Sequence, residues 1–206
     1  MYIPKLNLIT DKDEIVKFMQ QFSFATIITA KDNLPIATHL PFLVTTRDDK
    51  VLLTSHFAKA NAQWADIVNN KVLVIFSQPH AYISPSNYNN EINVPTWNYI
   101  SVHAYGHGTL ITDQNQTVEV LENTINNYEI AYRQQWNNLS KDYKLSMLKG
   151  IVAFEIVVTD LQGKKKLSQN KTETEKQKII NTLSKSRDSN EQLIAEYMKG
   201  NQKHKK

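Results

Sequence analysis

The sequence predicts a mainly β protein with flanking helices, an α+β chain built on an antiparallel sheet. Two observations carry this. The β-rich runs at 24–30, 34–45 and 51–57 are separated by the turn-forming stretches KDN and RDDK. Connections that short cannot hold a crossover helix, so the runs read as an antiparallel meander rather than βαβ units. The run 96–111 alternates in character along its whole length, as one long strand with two different faces does.

Taken in order, residues 11–22 open as a helix. Asp11 and Glu14 approximate a capping box, and Ile15, Phe18, Met19 and Phe22 recur at helical spacing. After the three β runs, 58–70 reads as a short helix and 71–77 as a return to strand. The Pro- and Asn-rich stretch 79–95 reads as a polar loop of a length usually reserved for function or disorder. In 96–111 the even positions Asn98, Ile100, Val102, Ala104 and Gly106 form the core-facing set. The odd positions Trp97, Tyr99, Ser101, His103, Tyr105 and His107 face a ligand or a second subunit. Val118, Leu121, Ile125, Tyr128 and Tyr132 mark a covering helix. The run 151–158 reads as a strand covered on both faces, whose lone charge, Glu155, requires an edge position or a partner. Two helices close the chain, with capping pairs Thr172/Glu175 and Ser189/Gln192 and a stop at Gly200.

Composition removes several function classes. The 206 residues are 41% hydrophobic, enough to bury about 70% of the unfolded surface in one domain with or without an extension. Without any cysteine there is no disulfide scaffold, Cys-ligated zinc, iron–sulfur cluster or cysteine nucleophile. The start MYIPKLNLIT lacks the pattern of a signal peptide and VLVIF is far too short to span a membrane. The expectation is a cytoplasmic protein with no membrane partner. Neither GxGxxG, a Walker loop, GxSxG nor HExxH occurs. His103 and His107 form HxxxH, but on a strand their Cα atoms stand about 13 Å apart, so no metal site is expected. Charge is uneven: residues 164–206 carry +7 and residues 1–163 carry −3. A basic C-terminal end suits nucleic acid or an acidic partner, and equally a lysine-rich helical surface.

Chemistry concentrates in two stretches. In TSHFAKANAQW, residues 54–64, Thr54, Ser55 and His56 end a strand where a helix starts, with Lys59 in its first turn. Hydroxyls, helix-start amides and an ammonium together form a phosphate cradle, and the alternative is a capped helix with a surface lysine. In PHAYISPSNY and VPTWNY, residues 79–88 and 94–99, Tyr82, Trp97, Tyr99 and Tyr105 can wall a flat aromatic ligand. Asn98 and His103 then supply polar contacts. The alternative is an aromatic core or dimer interface.

HFAKANAQW, PHAYISPSNY, VPTWNYISVHAYG and GIVAFEIVVTDLQGKKKLSQNK occur in this order along nearly the whole chain. In these motifs the chain resembles the PaiB-type family of FMN-binding negative transcriptional regulators. The resemblance implies an antiparallel split β-barrel of the pyridoxamine-phosphate-oxidase-like type, a homodimer with FMN at the subunit interface. It implies a barrel domain over 1–170 and a helical extension with a basic tail over 171–206. By the resemblance Thr54, Ser55, Lys59 and Asn61, with His56 between them, form the phosphate side of the site. Trp97, Asn98 and His103 line the flavin, and Ser168, Gln169 and Asn170 close it. The family commonly has Arg where Lys59 stands, and Lys keeps the charge without bidentate geometry.

Two functions follow from the resemblance. One is a regulator, reaching DNA through the basic end; Ile194, Tyr197 and Met198 form a packing stripe on the last helix, which argues against a recognition helix. The other is a flavin-dependent oxidoreductase using NAD(P)H, with His103 or His56 assisting proton transfer. Haem in place of flavin is a third possibility.

Overall fold

Tight hairpins form where the sequence supplies Asp and Asn. The strands in chain order are β1 (Leu8–Ile9), β2 (Phe24–Lys31), β3 (Leu34–Pro41), β4 (Leu43–Arg47), β5 (Lys50–Ala58), β6 (Lys71–Ile83), β7 (Thr96–Ile111) and β8 (Ile151–Lys166). The helices are α1 (Lys12–Gln21), α2 (Asp66–Asn69), α3 (Gln114–Tyr128), α4 (Arg133–Asn138), α5 (Lys141–Leu148), α6 (Glu173–Leu183) and α7 (Ser189–Lys203). Asp32 and Asn33 join β2 to β3, and Asp48 and Asp49 join β4 to β5, all four at positive φ between 49° and 63°. Two left-handed residues in succession match the twist of a two-residue hairpin, and Asp and Asn tolerate them best.

This computed structural model describes residues 1–203; the last residues of the expected basic tail, 204–206, lie outside the described residues. Two compact units are present, one of residues 13–76 and 103–161, the other of residues 1–12, 77–102 and 162 onward. Hydrogen-bonded strand order is β3-β2-β6-β7-β8-β5-β4, with β1 on β8. The β1–β8, β2–β3, β2–β6, β4–β5 and β5–β8 pairings are antiparallel.

The expected single strand over 34–45 is two strands, and the expected meander is two separate hairpins. Phe42 is the cause: it is 1% exposed, and its N–H donates to the Ser23 carbonyl at 2.9 Å. Its ring packs at 6.0 Å from Phe76 and edge-on at 6.2 Å from Phe154, which stacks on Phe57 at 4.9 Å. Burying that ring turns the chain between β3 and β4, which do not pair. With Ile27, Leu53, Ile67 and Ile156, all fully buried, these rings form the core of the first unit.

Further differences from expectation have local causes. The covering helix ends at Tyr128, and the residues it fully buries are Thr117 and Val120, while Tyr132 belongs to a separate turn. Strand β6 runs through Pro79 to Ile83, so the expected loop is shorter by half a strand. The strand at 151 onward continues to Lys166 and leaves Val152, Val157 and Val158 half-buried rather than covered. Glu155 has its partner, Arg47, at 2.9 Å.

In the second unit α6 opens with the expected capping box: Thr172 and Glu175 exchange side-chain and backbone hydrogen bonds. The α7 cap is Asp188, whose carboxylate accepts from Asn190 N–H at 2.8 Å, rather than Ser189. Helix α7 continues through Gly200 to Lys203. Ile179, Ile180, Ile194 and Met198 are buried along the α6 and α7 stripes, so α7 is a packing helix.

Candidate functional site

On β5 successive side chains alternate between faces. Ser55 falls on the face of the fully buried Leu53 and Phe57, is itself 4% exposed, and donates to the Pro41 carbonyl at 2.6 Å. Thr54 and His56 fall on the opposite, half-buried face. The two adjacent hydroxyls therefore do not form one cradle.

The helix expected at 58–70 starts later and is short. A four-residue 3-10 turn over Ala62–Ala65 precedes α2. Asn61 caps it, accepting from Gln63 N–H at 3.0 Å and donating to Thr38 Oγ1 at 2.9 Å. Gln63 sets this start. It is 2% exposed, donates to the Ile36 carbonyl at 3.0 Å and accepts from Thr38 Oγ1 at 2.6 Å. Anchoring Gln63 inward leaves Lys59 ahead of the helix, exposed, with its N–H on the Gly150 carbonyl at 2.8 Å.

Of the expected phosphate group, then, Ser55 and Asn61 are committed to supporting the backbone. The Thr54 hydroxyl, the His56 imidazole and the Lys59 ammonium make no hydrogen bond or ion pair among the described residues. Burial holds the His56 pKa below its ordinary value, so its ring is neutral at pH 7. Thr54 also lines an open cleft of about 1,080 Å3 with Thr45, Arg47, Thr109 and Glu155.

Farther along β7 in the same unit, His103 is half-buried and its Nδ1 is buried without a hydrogen-bond partner. Burial lowers its pKa as well. Tyr105 lies 6.5 Å from it, ring to ring, under the Lys71 ammonium at 5.4 Å. Among the described residues no group of three or more His, Cys, Asp or Glu is placed to hold a metal ion.

The first half of β7 belongs to the other unit, and here the predicted alternation is visible directly. Asn98, Ile100 and Val102 are buried, whereas Trp97 is 51% exposed. Ser101 departs from the pattern, buried on the outer face. Trp97 meets Tyr82 edge-on at 5.8 Å and His80 at 5.9 Å. Tyr99 instead carries the Lys164 ammonium at 5.0 Å. Within this unit the expected wall residues fall in two groupings, Trp97 with Tyr82 and Tyr99 with Lys164; Tyr105, with His103, belongs to the other unit. His80 was hidden from the sequence by the assignment of 79–95 to a loop; two residues from Tyr82 on one strand, it shares that face.

Asn98, Ser168, Gln169 and Asn170 do come together, around a cavity of about 310 Å3 within this unit. Ser168 Oγ donates to Asn98 Oδ1 at 3.1 Å. Lys166, Lys171 and Tyr88 line the same cavity and were not singled out in the sequence. Much of the basic C-terminal run is engaged within the chain. Lys164 is 8% exposed and Lys166 donates to Thr96 Oγ1. Lys176 pairs with Glu173, and Lys199 with Glu196.

Residues 1–160 match the family described as "Putative FMN-binding domain". The chain belongs to this family. Over 202 residues it is 43% identical to "Protease synthase and sporulation protein PAI 2" of Bacillus subtilis, with 96% of each chain covered. Two solved structures share the fold at low identity. The flavocytochrome Anf3 of Azotobacter vinelandii aligns with a TM-score of 0.63 at 13% identity, over 80% of this chain and 72% of that one. An FAD and heme binding protein of Mycobacterium smegmatis aligns with a TM-score of 0.61 at 11% identity, over 78% and 73%. The fold class is an antiparallel split β-barrel with flanking helices, and the cofactor of this FMN-binding chain is FMN.

The residues present fit that cofactor. An ammonium and a hydroxyl without protein partners suit a phosphate, since lysine binds phosphate as a point charge and a hydroxyl adds a directional donor. The orphaned His103 Nδ1 fits the same conclusion, because a buried polar atom ordinarily has a partner. No described helix is long and apolar enough to cross a membrane.

Proposed function

We propose that this protein is a cytoplasmic FMN-binding homodimer that acts as a negative regulator of transcription, with flavin held at the seam between its two copies. The observation that carries the reading is the partnerless set on and just after β5, Thr54, His56 and Lys59. Lys59 and Thr54 bind the phosphate, and neutral His56 offers one ring N–H to a remaining oxygen. Ser55 and Asn61 hold the strand end and the helix start that present them. His103 serves the ring side, in keeping with the family resemblance. Bound FMN supplies a hydride-accepting ring system. The B. subtilis relative's name refers to protease synthase and sporulation, which supports the regulatory reading.

The lysines at 164, 166, 171, 176, 178 and 199 are held in contacts within the chain. DNA reached through the rest of the basic run is bound by charge and loses affinity steeply with salt. Titrating FMN-loaded protein against operator and scrambled DNA at two salt concentrations tests the regulator. A preference for operator at both concentrations supports it; equal affinity removes specific repression. Sedimentation equilibrium tests the dimer, and a monomer mass at micromolar concentration would remove it.

A second reading, a flavin-dependent oxidoreductase drawing on NAD(P)H, is favoured by His103. Its Nδ1 is free and burial keeps the ring neutral, as a proton-accepting group near neutrality requires. Loaded protein then oxidises NAD(P)H with an added acceptor faster than free FMN does, and no excess over free FMN ends this reading.

A further inference from the structure

We infer that the cavity of about 310 Å3 lined by Lys166, Lys171 and Asn98 is a binding site for a small phosphomonoester, built from other residues than the proposed flavin phosphate group of Thr54 and Lys59. The volume lies at the small end of ligand pockets, about 300–1,000 Å3, and suits a compact ligand.

Its charge is one-sided. Two lysines line it and no carboxylate does. The Lys171 ammonium sits 3.5 Å from the Tyr88 ring centroid and donates to Asn93 Oδ1 at 3.2 Å. That of Lys166 donates to Thr96 Oγ1. Neither makes an ion pair among the described residues. The carboxylate that senses Lys171, Glu175, is occupied by the Asn89 and Thr172 N–H groups and the Thr172 hydroxyl. Two cations held by neutral partners form a site for a dianion, and phosphate answers to point charges of this kind.

The polar lining is also under-used. Asn98 is fully buried, yet among the described residues its amide nitrogen donates only to the Met198 sulfur, at 3.6 Å. A thioether is a weak acceptor, so one amide hydrogen remains for a ligand oxygen. Asn170 is exposed at the rim and makes no hydrogen bond among the described residues. Ser168 is held at φ 56°, in the left-handed region, by its bonds to Asn98 and to Lys171 N–H at 3.0 Å. Non-glycine residues kept in that region cluster at ligand sites. Pro4, Leu6 and Val94 supply the apolar part of the lining, beside Asn7, and accommodate a short carbon arm on the phosphate.

Four lining residues, Asn98, Ser168, Gln169 and Asn170, are those the resemblance assigns to flavin, so the test must separate the two ligands. Calorimetric titration of the full chain uses glycerol 3-phosphate, with acetate at matched ionic strength as the carboxylate arm. FMN affinity is measured separately by flavin fluorescence. The expected result is saturable glycerol 3-phosphate binding that Lys166→Met and Lys171→Met each weaken tenfold or more. Neither variant moves FMN affinity by more than twofold, and saturating FMN leaves the phosphate isotherm in place. Asn170→Asp, an exposed change that spares the core, also weakens the probe by adding like charge at the rim. No saturable binding, insensitivity to the lysine variants, equal acetate binding, or one-for-one competition by FMN would each overturn the inference. Failed FMN binding with the phosphate isotherm intact would sink the flavin proposal alone.

Discussion

Replacing Lys59 by Met removes one positive charge at almost constant side-chain length. In the free protein the ammonium is exposed and without a partner among the described residues, so its loss changes folding stability by no more than about 0.5 kcal/mol. In the proposed flavin complex it would donate a charge-assisted hydrogen bond to phosphate, worth about 1.5–3 kcal/mol. Because the group starts in water, the lower half of that range applies, about 1.5–2 kcal/mol, or about a 10- to 30-fold rise in the FMN dissociation constant. Quenching of flavin fluorescence on titration reads the affinity, and thermal melting of the apo protein reads the stability. Lys59→Arg, which adds bidentate geometry, holds or improves the affinity. A dissociation constant for Lys59→Met within twofold of the parent, at unchanged melting temperature, would refute the assignment of Lys59 to the phosphate.

Three further outcomes follow from the packing and the titratable groups. A Cβ at Gly106 would stand 2.3 Å from the Val157 carbonyl oxygen and 2.7 Å from Ile156 Cγ2; Gly106→Ala therefore destabilises by about 1–3 kcal/mol, visible as a lower urea midpoint. Thr172→Ala removes the α6 capping box and costs about 0.5–2 kcal/mol, whereas Thr172→Ser retains most of it. Burial depresses the His56 and His103 pKa values, so the unfolded chain takes up these protons before the folded one. Their contribution to stability is then fully present above about pH 6.5, the unfolded histidine value, and is lost as pH drops from there through the folded values. Urea midpoints across that window, compared with His56→Gln, check the sign; a midpoint that rises on acidification would contradict it.

How far the sequence carried this picture depends on how local each signal was. The alternation along β7, the two Asp/Asn hairpins and the Thr172–Glu175 box depend on neighbouring residues, and all three appear in the structure. The break at Phe42 could not be read locally, because it depends on burying one ring against Phe76 and Phe154, distant in the chain. The late start of the helix after β5 has the same origin: Gln63 is anchored by Thr38 and Ile36. Nothing in TSHFAKANAQW indicates that anchor, so the local pattern places Lys59 in the first helical turn, whereas it lies ahead of the helix. Pro79 hid the second half of β6 and with it His80. Lysines 166 and 171 looked like surface charge; only the turn at Ser168 brings both to one cavity with Asn98.

FMN is the resident cofactor of this chain. Protein purified from cells without added flavin should show an oxidised-flavin absorption spectrum, and denaturation should release one FMN per chain by mass spectrometry. A colourless preparation that also fails to take up added FMN, or a Soret band with no flavin released, would contradict it.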